Sequence, residues 1–184
     1  TDCKVENLVE FAIMGSVYME KVIGRKNPGI GLVNIGSEEN KGNELTKAAY
    51  ARLRDTKGIN FIGNVEARDI PEGVADVLVC DGFVGNTILK LTEGLALSLF
   101  SMLKTEFTST SIAKLGALLL KPGLKRMKGR MDYTEHGGAP LLGVNGGVIK
   151  AHGSSNYIAF KNAIRQGKKF IDNMVLDAIE RHIN

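Results

Sequence analysis

Short, largely apolar segments alternate with helical segments along this chain, and the alternation restricts the possible folds more than any other feature of the sequence. Residues 29–36, 59–64, 77–81 and 148–152 form runs that are typical of buried strands. Between these runs, apolar residues recur at three- and four-residue steps, as they do in amphipathic helices. Strands that alternate with helices and are apolar on both faces predict an α/β fold with a mostly parallel sheet in three layers.

The helices are predicted from this periodicity and from residues that start or stop helices. Predicted helices cover about residues 5–22, 44–54, 86–107 and a last segment that extends towards residue 183. Gly24 and Pro28 end the first helix. Ser154 or Ser155 is expected to cap the last one.

Polar residues follow the predicted strands. The carboxyl ends of parallel strands lie on one edge of a sheet, and ligands bind at that edge. We therefore expect the polar residues that follow the strands to meet there. These residues are Asn34, Ser37, Asn64, Asp81, Asn86 and His152.

The loop of residues 34–44 combines glycines, a lysine and the start of a predicted helix. Free N–H groups and the helix dipole attract phosphate at such a position. The loop matches neither the Walker A pattern nor GxGxxG. A capped turn with solvated Glu38 and Glu39 is therefore the alternative interpretation.

The loop of residues 80–86 follows an apolar strand and opens a long helix. Gly82 allows tight backbone geometry, and either Asp81 or Asn86 can cap the helix or hold a ligand. Cys80 could serve as a covalent nucleophile, but a small residue inside an apolar run is usually packed. We favour packing for Cys80.

His152 follows Lys150 at strand spacing, so both side chains are predicted to point to the same face. Gly153 and Ser154 come next, at a predicted helix start. Lysine, imidazole, hydroxyl and helix N–H groups together suit an anionic oxygen ligand, while a purely structural histidine is the equal alternative. No HExxH or CxxC pair is present, so we expect neither a metal nor another cofactor.

The net charge of +4 is concentrated in residues 107–131, which contain six basic residues and no acidic one. A single basic segment of this kind, with Phe107 as its only aromatic residue, argues against a nucleic acid partner. Its basic amphipathic pattern favours an anionic membrane surface, and a helical arm packed on its own domain or on a second subunit is the alternative. Pro122 and Gly123 are expected to break it into two short helical pieces. The predicted contact residues are Lys114, Leu115, Leu118, Leu119, Lys121, Lys125 and Arg126.

Two cysteines, the absence of a secretory signal and the absence of an apolar run near 18 residues predict a cytoplasmic protein that contacts membranes only peripherally. The chain begins at Thr1, directly before a helical pattern, and we expect it to be a fragment.

Five motifs together resemble the PlsX family, the phosphate acyltransferases of bacterial phospholipid synthesis. They are LVEFAIMGSVY (8–18), NIGSEENKGNELTK (34–47), NFIGNVEARD (60–69), DGFVGN (81–86) and VIKAHGSS (148–155). The resemblance implies that acyl-[acyl carrier protein] and inorganic phosphate react to give acyl phosphate. It also implies an isocitrate/isopropylmalate-dehydrogenase-like fold, a homodimer, work beside the membrane and transfer of the product to a glycerol-3-phosphate acyltransferase. Family members are nearly twice as long, so residues 1–184 correspond to the carboxy-terminal half, with a basic helical arm at about residues 107–131.

Site roles follow from this resemblance and from position at the sheet edge. We predict His152, Lys150, Asp81 and Asn86 as catalytic residues. The predicted phosphate- or substrate-binding residues are Asn34, Gly36, Ser37, Lys41, Asn64, Gly82, Gly153 and Ser154. A phosphotransacetylase or dehydrogenase of similar fold, and a non-catalytic fragment that binds membrane or carrier protein, are the alternative functions.

Overall fold

The structure is a computed structural model, and it describes residues 2–130, 137–153 and 155–183. The helices are α1 (Val5–Tyr18), α2 (Glu44–Asp55), α3 (Gly82–Phe107), α4 (Ser111–Arg130), α5 (Tyr157–Asp172) and α6 (Val175–Ile183). The strands are β1 (Gly29–Asn34), β2 (Asn60–Glu66), β3 (Val77–Val79), β4 (Ala139–Leu141) and β5 (Val148–Lys150). A π-helical turn (Met19–Ile23) extends α1, and a 3-10 helix (Ala67–Glu72) follows β2.

The first three strands form a parallel sheet in the order β2-β1-β3. The central strand, β1, pairs through Ile30 with Phe61 of β2 and with Val77 of β3. Five of its six residues are buried, as expected of a strand that is covered on both faces. The prediction of an α/β fold with a parallel sheet is confirmed.

Helices α1 and α2 pack together on one face of this sheet. The buried residues of this core are Leu8, Ala12, Ile30, Leu32, Ala49, Leu53 and Val79. Ile30 and Leu32 are two positions apart on β1 and therefore point to the same face. A second core joins the end of α1 and the π-helical turn to α5 and α6. Its buried residues are Met14, Val17, Val22, Phe170, Val175 and Ile179.

The fourth predicted strand does not extend the parallel sheet, so its expected position was wrong. β5 pairs antiparallel with β4, with Lys150 opposite Ala139 and Val148 opposite Leu141. β5 has only three residues, and both of its end residues are exposed. A strand with one half-covered face suits a two-stranded antiparallel pair better than the middle of a parallel sheet.

Two predicted helix boundaries also differ from the structure. The expected break at Pro122 was wrong, because α4 continues through this residue. A proline within a helix loses one backbone hydrogen bond and clashes with the carbonyl four residues earlier, which a bend can accommodate. The last segment begins later than expected, because the side chain of Asn156, rather than that of Ser155, accepts the N–H of Ala159 and caps α5.

Helices α3 and α4 pack against each other, and none of the side chains of α3 is buried. In the described part of the chain, no helix combines the length and the apolar content that crossing a membrane would require.

Candidate active site

The carboxyl edge of the parallel sheet brings together the loops that follow β1 and β3. β1 ends at Asn34 and β3 at Val79, and the two strands are neighbours. The chain leaves β1 towards α2 and leaves β3 towards α3, while β2 lies on the opposite side of β1. Ligands bind in α/β sheets at such a change in strand order. This edge is therefore the candidate active site.

A cleft of about 540 Å³ opens at this edge. Its lining residues are Asp2, Cys3, Leu45, Asp81 and Phe83. Only Asp81 among them was predicted as a site residue. Leu45 lies in the first turn of α2 and Phe83 in that of α3, directly after the two polar loops. This position directly after a polar loop was the sequence signal that could have identified both apolar residues as site residues.

Asn34 and Asn64 form a buried amide pair at the base of the first loop. Asn34 Nδ2 donates to Asn64 Oδ1 at 3.0 Å and to the main-chain oxygen of Lys41 at 3.1 Å. Asn64 Nδ2 donates to the main-chain oxygen of Glu38 at 2.8 Å, and the Ile35 N–H donates to Asn34 Oδ1 at 2.9 Å. Both side chains thus hold the loop between β1 and α2. Direct contact of either amide with substrate stays a prediction.

Two glycines allow this loop to fold tightly. A Cβ at Gly36 would lie 2.7 Å from Lys41 Cγ. Gly42 has a φ of +99°, and a Cβ there would collide with the side-chain oxygens of Asn34 and Thr46. A left-handed backbone conformation with this crowding requires glycine. Gly36 was predicted as a site residue, whereas Gly42 was missed although the same loop contains it.

The loop leads into a capped helix. Asn43 Oδ1 accepts the N–H of Thr46 at 2.9 Å and caps α2. Ser37 and Lys41 are exposed, and Lys41 Nζ lies 3.9 Å from Glu38 Oε1. These features confirm the turn as a capped one. Phosphate binding by Ser37 and Lys41 stays a prediction.

Asp81 caps α3. Its Oδ1 accepts the N–H groups of Phe83 at 2.8 Å and of Val84 at 2.9 Å. Gly82 is the first residue of α3, which therefore starts earlier than predicted, and Asn86 lies exposed within the helix. Of the two candidate caps, the structure selects Asp81.

Cys80 packs beside this cap as a protonated thiol. A Cβ at Gly85 would lie 3.1 Å from its Sγ. Burial raises the pKa of Cys80 to about 11, and the negative charge of Asp81 adds to the increase. The thiolate is the nucleophilic form of cysteine, and at neutral pH little of it is present at this pKa. The packing interpretation of Cys80 is supported over a covalent role.

The predicted phosphate ligands near residue 150 belong to the antiparallel pair rather than to the parallel sheet. Lys150 ends β5 and is exposed, and His152 lies beyond the strand and is also exposed. The His152 carbonyl accepts the N–H of Ser155 at 3.0 Å. Gly153 is exposed, and α5 begins only at Tyr157, so the predicted helix start directly after Gly153 was wrong. Ser154 lies outside the described residues.

The basic segment has two distinct faces in α4. Lys114, Leu118 and Lys121 line a groove that faces α3. Leu115 and Leu119 are exposed and do not line the groove. At 3.6 residues per turn, the two sets lie on different sides of the helix. One face of α4 can therefore contact a ligand in the groove, while the other is free to contact a different surface.

Comparison with known proteins shows matches along nearly the whole chain. Residues 1–178 match the family described as fatty acid synthesis protein. The chain is 59% identical over 182 residues to the phosphate acyltransferase of Clostridium acetobutylicum and 61% identical over 183 residues to that of Alkaliphilus oremlandii. These alignments cover 99% and 100% of the chain, but only 55% and 54% of the relatives. The chain thus spans about half the length of the curated relatives it matches.

Proposed function

The chain belongs to the fatty acid synthesis protein family, which confirms its resemblance to the PlsX phosphate acyltransferases, and from this premise we propose that it serves phosphate acyl transfer. The donor is acyl-[acyl carrier protein], the acceptor is inorganic phosphate, and the product is acyl phosphate for membrane phospholipid synthesis. The observation that carries this proposal is the cleft between the starts of α2 and α3, which combines an apolar wall with capped helix ends.

The reaction needs no covalent enzyme intermediate. A phosphate oxygen attacks the thioester carbonyl carbon, and the former carbonyl oxygen carries the negative charge of the tetrahedral intermediate. The C–S bond then breaks, and its electron pair leaves with sulfur, which takes a proton from solvent. A thiol of ordinary pKa, about 8.5, is an adequate leaving group. Direct attack by phosphate is supported by the raised pKa of Cys80, which leaves that thiol protonated.

Positioning and charge stabilisation are what the protein has to supply. In this proposal Leu45 and Phe83 contact the apolar part of the thioester, and Asp81 and Asn86 shape its carbonyl end. Gly36, Ser37 and Lys41 bind phosphate at the start of α2, within the loop that the buried amide pair holds. The exposure of Ser37 and Lys41 supports this arrangement.

A second group of residues is proposed to bind phosphate from the antiparallel pair. Lys150 and His152 are exposed and carry donors that suit an anionic oxygen ligand. Gly153 and Ser154 follow them in the sequence and are part of the same proposal. Replacing His152 by Ala should raise the KM for phosphate more than the KM for the acyl donor. An unchanged KM for phosphate would remove His152 from the site.

Partners are proposed from exposed surfaces. The outer face of α4, with Leu115, Leu119 and Arg126, is proposed to contact an anionic membrane surface from the cytoplasmic side. Leu91, Leu95 and Met102 form an exposed stripe along α3, and we propose that a second copy of the chain covers it in a homodimer. The product would pass at the membrane to a glycerol-3-phosphate acyltransferase.

Acyl transfer can be tested with the chain alone and with a chimaera in which it replaces the matching residues of the Clostridium acetobutylicum relative. Free thiol and hydroxylamine-trapped acyl phosphate are measured with acyl carrier protein and with coenzyme A thioesters. We expect the chimaera to release both products in equal amounts, only with phosphate and preferentially from the carrier protein. Thiol release without phosphate would contradict acyl transfer to phosphate, and a preference for coenzyme A would favour a phosphotransacetylase.

A further inference from the structure

A groove of about 490 Å³ runs between α3 and α4, apart from the candidate active site. Its apolar walls come from Phe100, Leu103 and Phe107 of α3 and from Ala117, Leu118 and Leu124 of α4. The volume lies within the range of pockets that bind small molecules. Aromatic and aliphatic walls of this kind favour an apolar ligand.

The charged residues of the groove all have the same sign. Lys104 comes from α3, and Lys114 and Lys121 come from α4. Among the described residues that line the groove, none is acidic. Within residues 2–130, 137–153 and 155–183, none of the salt bridges involves these three lysines. Among the described residues, therefore, no acidic side chain that lines the groove or forms a salt bridge neutralises these lysines.

We propose that this groove binds one molecule of a single-chain amphiphile, with its acyl chain between the helices and its anionic head group against the lysines. The apolar walls and the three lysines are complementary to the two parts of such a ligand. The identification of the natural ligand as an acyl phosphate rests on the proposed function. The groove would then hold the product between the active site and the membrane.

The groove differs from the surface that is proposed to contact a membrane. Leu118 lines the groove and is 63% exposed, whereas the adjacent Leu119 is 78% exposed and lies outside it. Successive residues of a helix are separated by about 100°. A polar side chain at position 118 should therefore weaken binding of a single amphiphile. A polar side chain at position 119 should instead weaken binding to a bilayer.

Calorimetric titration of the 184-residue chain with dodecyl phosphate, kept below its micellar concentration, tests the proposal. We expect saturable binding with one site per chain. Leu118→Asn should weaken it by about tenfold or more, because a leucine loses much of its apolar contact. Leu119→Asn is the matched control and should bind dodecyl phosphate like the parent chain. Circular dichroism checks that both variants keep their helices.

Charge is tested separately. Dodecyltrimethylammonium has the same chain length with a cationic head group, and it should bind at least about tenfold more weakly than dodecyl phosphate. Equal binding of the two amphiphiles would overturn the proposal, as would equal loss in the two leucine variants. Binding to vesicles without binding to the single amphiphile would overturn it as well. So would a dimer, detected by sedimentation, that no longer binds the amphiphile because a second chain covers the groove. Acyl transfer is measured independently in the chimaera, so failure of the groove and failure of the proposed function can be told apart.

Discussion

The side-chain nitrogen of Asn34 lies 3.0 Å from the side-chain oxygen of Asn64, and each residue is only 8% exposed. One residue ends β1 and the other lies in β2, and Asn64 pairs with Leu32 in the parallel register. Each amide also bonds the main chain of the loop that follows β1. The pair therefore couples the sheet to the loop beside the candidate active site.

Asn64→Ala should destabilise the chain, because it removes the hydrogen bonds that Asn64 forms with the Asn34 amide and the Glu38 carbonyl. Loss of buried hydrogen-bond partners costs about 1–3 kcal/mol in the free energy of unfolding. Urea denaturation measures this cost. Asn60→Ala is the control, since Asn60 lies in the same strand and donates to Asn27 at an exposed site. We expect Asn60→Ala to cost less than about 0.5 kcal/mol. An equal loss of unfolding free energy in the two variants would show that the buried amide pair contributes no more stability than an exposed asparagine.

The meeting of Asn34 and Asn64 could be predicted from the sequence, because it follows from the apolar pattern of two neighbouring parallel strands. The run Gly29–Asn34 has no polar residue before its end, so its place in a buried sheet was determined locally. The position of β5 was not predictable in this way. It depends on pairing with Ala139–Leu141, which is a long-range choice that a three-residue strand does not encode in its own pattern.

The hydrogen-bonding roles within the site were also difficult to predict. Sequence position alone identified Asp81 as a cap or a ligand, but the selection of Asp81 over Asn86 required the actual start of α3. Likewise, Leu45 and Phe83 become site residues only because two loops that are distant in sequence meet across neighbouring strands. Their positions directly after the two polar loops were visible in the sequence, but the approach of the two loops to each other was not.

Asp81→Ala should remove the cap of α3, whereas Asp81→Asn should keep it, because asparagine is an equally good helix cap. We expect the alanine variant to lose about 1 kcal/mol in the free energy of unfolding and the asparagine variant to lose little. The turnover of the chimaera then distinguishes the capping role of Asp81 from a role of its negative charge. If the carboxylate itself shapes the acyl site, Asp81→Asn should lower kcat while keeping stability. Equal turnover of parent and Asp81→Asn would limit Asp81 to capping.

Cys80 should react slowly with iodoacetamide near neutral pH, and its rate should rise as the pH approaches its pKa of about 11. Cys3→Ala leaves Cys80 as the only thiol, so the rate can be assigned. The folded pKa lies above the ordinary thiol pKa of about 8.5, so the protonated thiol contributes stability that is fully present below that pH. That contribution should be lost as the pH rises through about 11. Fast alkylation at neutral pH, or an acyl group trapped on Cys80, would contradict this assignment.

Leu119→Asn should reduce flotation of the chain with vesicles that contain anionic lipid, because it removes an exposed apolar side chain from the outer face of α4. Leu97→Asn is the matched control, since Leu97 is a similarly exposed leucine on α3 at 73%. Attraction between the basic segment and anionic lipid is screened by salt, so flotation should also fall as ionic strength rises. The membrane proposal fails if both variants float like the parent chain. Equal loss in both would point to general apolar adsorption, because the effect would not depend on α4.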